Sequence, residues 1–123
     1  MQVELKAYLE SHGHTNVFCD VMPDPSKIPD CIAVFKYNHI PDGDNCGSGR
    51  HYIQVQVRRA TYQAAQNVCR GIFALLNSGE NERIIDLTDT VWAHIKQRKG
   101  PLLLNREAGN HTFYCEVVLW GDN

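Results

Sequence analysis

The sequence has no apolar run long enough to cross a bilayer. Its longest, Cys31 to Phe35 and Ile72 to Leu76, fall far short of the roughly 20 residues that a spanning helix needs. It shows neither an internal repeat nor a low-complexity block. An excess of one charge is missing too: 12 Lys plus Arg face 14 Asp plus Glu, a formal net charge of −2. No global field therefore draws the chain toward nucleic acid or an acidic membrane. The start, MQVELKAYLE, lacks an apolar h-region, so no secretory signal is expected. There is no Cys-x-x-Cys pair, and the five cysteines are odd in number and widely spaced, which argues against a disulfide framework. Four of them lie in apolar stretches, where a thiol acts as a small hydrophobe. A reducing compartment is expected. Cys46 alone sits in a polar loop.

What is there suits one globular unit. With 123 residues, 43% of them hydrophobic and 21% charged, the chain is expected to fold as a single domain over 1–123. Val3, Leu5, Tyr8, Leu9 and His12 pair at helical spacing, and Gly13 can stop that helix in the left-handed region. Thr15 to Met22 alternates as a strand with Val17, Cys19 and Val21 on one face, and Pro23 to Pro29 reads as an extended connection. Cys31 to Tyr37 is apolar on both faces, hence a central strand. Residues 38–50 read as a long loop.

The cleanest strand follows. Ile53, Val55 and Val57 point one way; Tyr52, Gln54, Gln56 and Arg58 point the other, toward water or a partner. Thr61 caps a helix running to about Asn77, with Ala65, Val68, Cys69, Ile72, Leu75 and Leu76 as its apolar stripe and Gly71 as an unfavourable interior residue. Residues 83–87 and 90–98 read as strands, Gly100-Pro101 as a break, and Leu102 to Trp120 as a hairpin whose last strand carries bulk on both faces. The expected fold is α+β: a mainly antiparallel sheet of about five to six strands, one long helix across a face and a short N-terminal helix.

No constellation for chemistry survives inspection. Asp42-Gly-Asp44-Asn-Cys46 starts like a calcium loop, but Ile53 stands where a bidentate Glu is required. Gly47-Ser-Gly49 leads into a strand and offers a phosphate no helix N-terminus. His12, His14 and Cys19 lack a fourth ligand. Asp86 and Asp89 suit a strand-to-turn boundary. Two alternatives stay open: a small thiol-dependent or hydrolytic enzyme using Cys46 with a His such as His51, and a ligand- or nucleic-acid-binding module using Arg50, Arg58 and Arg59. No cofactor or metal is expected.

One passage goes further. Residues 53–76, IQVQVRRATYQAAQNVCRGIFALL, run from an alternating strand closed by Arg into a helix. Pro-Asp-Cys-Ile-Ala-Val lies ahead at 29–34, and a Pro-Leu-Leu-Leu-Asn-Arg hairpin follows. Over roughly residues 5–120 this resembles the small minor capsid and tail-terminator (head–tail joining) proteins of tailed phages. The Cys-Gly-Ser-Gly loop and the cysteine count depart from that pattern. The resemblance implies a non-enzymatic virion protein of a phage or prophage, assembled in the host cytoplasm as a hexameric ring on the tail tube. Its implied partners are other copies of itself, the tail-tube protein and the head connector. DNA would only pass through, and no membrane is involved. Candidate interface residues are Tyr52, Gln54, Gln56, Arg58 and Arg59 on the strand, with Asp42, Asp44, Arg50 and Arg106 at the loop tips. Charge reversal at Arg58 is expected to impair assembly and spare the fold.

Overall fold

The computed structural model describes residues 1–43, 48–76, 83–107 and 109–122. Its elements are α1 (Gln2–Ser11), β1 (Val17–Cys19), β2 (Cys31–Pro41), β3 (Ser48–Arg59), α2 (Tyr62–Leu75), β4 (Arg83–Asp86), β5 (Trp92–Glu107) and β6 (Asn110–Asp122). The strands form a curled six-stranded sheet in the order β1-β2-β3-β6-β5-β4.

Alternation decides the layers. Val57, Val55 and Ile53 on β3 stand opposite Phe113, Cys115 and Val117 on β6, and opposite Ile32, Val34 and Lys36 on β2. All but Lys36 are buried in one core with Leu5 and Leu9 of α1 and Ala65, Cys69 and Ile72 of α2. The central placing of Cys31–Tyr37 and of the last strand agrees with their apolar character on both faces.

The expected fold class is corrected in two respects. The sheet is mixed, because β1 runs parallel to β2, pairing Val17 with Ile32 and Cys19 with Val34. A parallel return usually takes a dozen or more residues. Here the stretch between the two strands suffices because β1 is only 3 residues long. Asn16 (φ 55°) and Asp20 (φ 62°) bracket it in the left-handed region, which short polar side chains tolerate. Val21 thus leaves the strand and is exposed. Second, no single helix crosses the face. Two helices share it, α1 against β1 and β2, and α2 against β3, β5 and β6.

Local signals placed the end of α1 and the start of α2, while the expected end of α2 at Asn77 lies outside the described residues. Past α1, the Gly13 N–H bonds Glu10 O and the His14 N–H bonds Leu9 O, at 3.1 Å each, with Gly13 at φ 92°; this is a Schellman closure. Thr61 Oγ1 accepts from Ala64 N at 3.1 Å to open α2. Two boundaries moved. The stretch 38–50 is mostly strand, since β2 extends to Pro41 and β3 starts at Ser48; residues 44–47 lie outside the described set. Gly100-Pro101 does not end β5 either. It sits in a register shift between Lys99 and Leu102, and the strand continues.

Gly100 adopts φ 110°, and a Cβ there would meet Cys115 Cα and Tyr114 O at 2.9 Å. Gly71 differs: nothing lies within 4 Å of its would-be Cβ. Gly100→Ala should therefore destabilise by about 1–3 kcal/mol, and Gly71→Ala should stabilise by about 0.5–1 kcal/mol. Urea midpoints at unchanged m-value check both.

Candidate interaction surface

Because both helices lie on one side, the other face of the sheet carries no helix. Tyr52, Gln54 and Gln56 project onto it, opposite Val118, Glu116 and Tyr114 of β6. They are half-buried by one another. Gln56 Nε2 donates to Gln54 Oε1 at 2.7 Å, and Gln54 Nε2 to Glu116 Oε2 at 3.4 Å. Lys99 Nζ lies 4.0 Å from Glu116 Oε1, and the Tyr37 ring meets Tyr52 edge-on at 5.9 Å. Farther along, Trp92, His94 and Trp120 form an aromatic group within about 6 Å of one another, with Lys96 Nζ 6.0 Å from the Trp120 ring.

The relief of this face is shallow. Depressions of about 140 and 150 Å³ adjoin at Tyr52, Gln97 and Val118, and one of about 230 Å³ lies between Met22, Gln56, Asn105 and Thr112. Small-molecule pockets run to roughly 300–1,000 Å³. A polar, aromatic and shallow face suits contact with another protein better than enclosure of a substrate.

The sequence-derived site residues separate here. Arg50 is exposed and lines the second depression. Arg58 is corrected: it is only 6% exposed. Its guanidinium donates to Pro23 O and Ile28 O at 2.6 Å and to Pro29 O at 3.1 Å. It pins the proline connection over one end of the face. Arg59 Nη1 likewise serves backbone, donating to Arg58 O at 2.8 Å and Cys31 O at 3.2 Å. Two of the three arginines of the basic group, Arg58 and Arg59, are thus spent on carbonyls. Asp42 accepts from Trp120 Nε1 and from Ser48 Oγ, which closes the tip between β2 and β3. Arg106 stacks over Tyr62 at 5.7 Å on the helix side. Asp44 and Cys46 lie outside the described residues, so the proposed Cys46–His51 couple does too.

Of the other thiols, Cys31, Cys69 and Cys115 are buried. The hydrogen bond with Cys69, together with burial, pushes the Cys115 thiol up, and burial raises Cys19 and Cys31. Protonated thiols are poor nucleophiles. Among the described residues, no group of three His, Cys, Asp or Glu is placed to hold a metal. His12 Nδ1 is instead engaged with Tyr8 O at 2.8 Å.

A pair that sequence reading missed lies inside the β2–β3 ladder. His39 and His51 are direct partners, stacked at 4.5 Å with an 11° interplanar angle. His51 is fully buried, and neither of its ring nitrogens has a hydrogen-bond partner. Burial, with smaller pushes from Lys36 and His39, lowers its pKa to about 4.

The profile of a family described as "Bacteriophage tail terminator protein" matches residues 8–114. A chain from a solved structure entitled "Virion of native gene transfer agent (GTA) particle" superposes with a TM-score of 0.56 at 12% identity. The match covers 98% of this chain and 93% of that one. No curated protein matches.

Arg58→Ala leaves three carbonyls without their donor and should cost about 2–4 kcal/mol. Arg58→Lys should recover only part, because an ammonium lacks the fork. Denaturant titration checks both. For His51 the sign follows from a folded pKa of about 4 below an unfolded value of about 6.5. The unfolded chain binds the proton first on acidification. Stability should therefore fall as pH drops from about 6.5 toward 4, by up to about 3 kcal/mol. His51→Phe should flatten that acid limb in pH-dependent melts.

Proposed function

The chain belongs to the bacteriophage tail terminator family, and from that premise we propose that it closes the head-proximal end of a tail as a ring of identical subunits and presents a docking surface to the head connector. It is a structural virion protein of the tail. The family match over residues 8–114 carries this reading. The helix-free face supports it, because its shallow polar and aromatic relief suits a protein partner.

In this reading Tyr52, Gln54, Gln56 and Arg50 meet a neighbouring virion protein, the tail tube or the connector. Arg58, Arg59 and Asp42 hold the backbone that presents them. The nucleic-acid alternative loses its principal cations, since Arg58 and Arg59 are engaged internally. DNA is cargo passing the ring.

Deleting the gene in the producing phage or prophage should yield tails of uncontrolled length that lack heads, as seen by negative-stain microscopy. Resupplying the wild-type chain should restore joined particles, and labelled protein should mark the head-proximal tail end. Arg50→Glu with Gln54→Lys should weaken joining and leave the melting temperature unchanged. Normal tails without the protein would refute the reading.

A further inference from the structure

Arg58 is a buried cation whose charge is solvated but not cancelled. Only 6% of it is exposed, and a buried charge is costly unless it is paired. Its Nε and Nη2 donate to the carbonyls of Pro29, Pro23 and Ile28, which are dipoles and not counter-ions. Among the described residues, no carboxylate lies within ion-pair distance of the guanidinium, and Nη1 has no hydrogen-bond partner. Asp24, on the connection that covers Arg58, is turned to Ser26 instead, accepting from its backbone N and Oγ at 2.9 and 2.8 Å.

Arg58 also lines the depression of about 230 Å³ at its end of the helix-free face. The sheet register builds the floor of that depression. Thr112 of β6 is the direct ladder partner of Arg58, and Asn105 of β5 is the partner of Thr112. A guanidinium, a hydroxyl and a carboxamide thus stand in one row across three strands, at the spacing of cross-strand neighbours. Thr112 is only 5% exposed, and its hydroxyl has no hydrogen-bond partner among the described residues. Met22 and Pro25 wall one side, and Glu107, exposed, stands on the other.

We propose that this depression takes one carboxylate side chain of a protein partner, bound by Arg58 Nη1, the Thr112 hydroxyl and the Asn105 carboxamide. The carboxylate is the counter-ion that Arg58 lacks, and it accepts at two oxygens from donors that lie side by side. A site walled from water strengthens the attraction. Phosphate fits less well. Nη2 is already spent on two carbonyls, so no two-nitrogen fork remains, and Glu107 repels a double charge more than a single one. The volume lies below the range of small-molecule pockets and suits one side chain. Only the partner's identity rests on the reading above: there the carboxylate belongs to a neighbouring tail or connector protein.

An NMR titration of the ¹⁵N-labelled wild-type chain tests it. The probes are N-acetyl-glutamate N-methylamide, its uncharged glutamine counterpart and inorganic phosphate. The glutamate probe should move the Arg58 Nε and Thr112 amide resonances saturably at millimolar concentration, and the glutamine probe should not. Two exposed positions tune the site without touching Arg58. Glu107→Gln should tighten the glutamate probe about threefold, and Asn105→Asp should weaken it about tenfold or more. The wild-type titration decides even if a variant fails to fold. No response, an equal response to the glutamine probe, or tighter binding of phosphate overturns the proposal. In the producing phage, Asn105→Asp should lower the yield of joined particles about tenfold at an unchanged melting temperature; normal joining overturns the assignment to a virion partner. If the glutamate probe binds as expected and tails form normally without the protein, the tail reading falls and the carboxylate site stands.

Discussion

The unbroken pairing of β3 with β6 is the constraint on which the other features depend. It runs from Ser48 opposite Asp122 to Arg59 opposite His111 without a bulge. With a side-chain period of two, that register assigns Ile53, Val55 and Val57 to the helices and Tyr52, Gln54 and Gln56 to the open face. A slip by one residue would bury glutamines and expose valines. Both neighbouring ladders shift register, β2 at Lys36–Asn38 and β5 at three places. The curl of the sheet is therefore accommodated around a regular central pair, as bulges do elsewhere.

Elements governed by local chemistry were legible in the sequence. The stop at Gly13, the Thr61 cap, the α2 stripe and the inward set of β3 each follow from periodicity or capping. What depended on distant partners was not legible. Nothing near Val17 signals that β1 pairs parallel to β2, because the proline connection that returns the chain is held by Arg58, some thirty residues downstream. Likewise, Gly100-Pro101 has the local character of a break. Only the backbone of Tyr114 and Cys115, packed against Gly100, shows that the strand goes on.

The candidate surface was half legible for the same reason. Alternation named Tyr52, Gln54 and Gln56, and the structure puts them on the helix-free face. Alternation also named Arg58, which shares their parity, yet the segment Pro23–Pro29 folds onto it and consumes its donors. A guanidinium beside a proline-rich stretch full of carbonyls without nearby donors is the signal that would have found this role. The His39–His51 stack had none: an alternating pattern gives parity but not the cross-strand neighbour. Family membership gives the chain its class, a structural component of the phage tail, and the shallow helix-free face gives that class physical content.

The exposed stretch Leu102–Leu104 of β5 has a further cost. Three consecutive exposed leucines on a strand rim that pairs with no other strand among the described residues resemble the template on which fibrils grow. Lys96 and Lys99 ahead of the leucines, Arg106 behind them and the register shift between Lys99 and Leu102 act as gatekeepers that blunt indiscriminate stacking. Removing any of them in the name of stability would trade solubility during storage for a firmer fold.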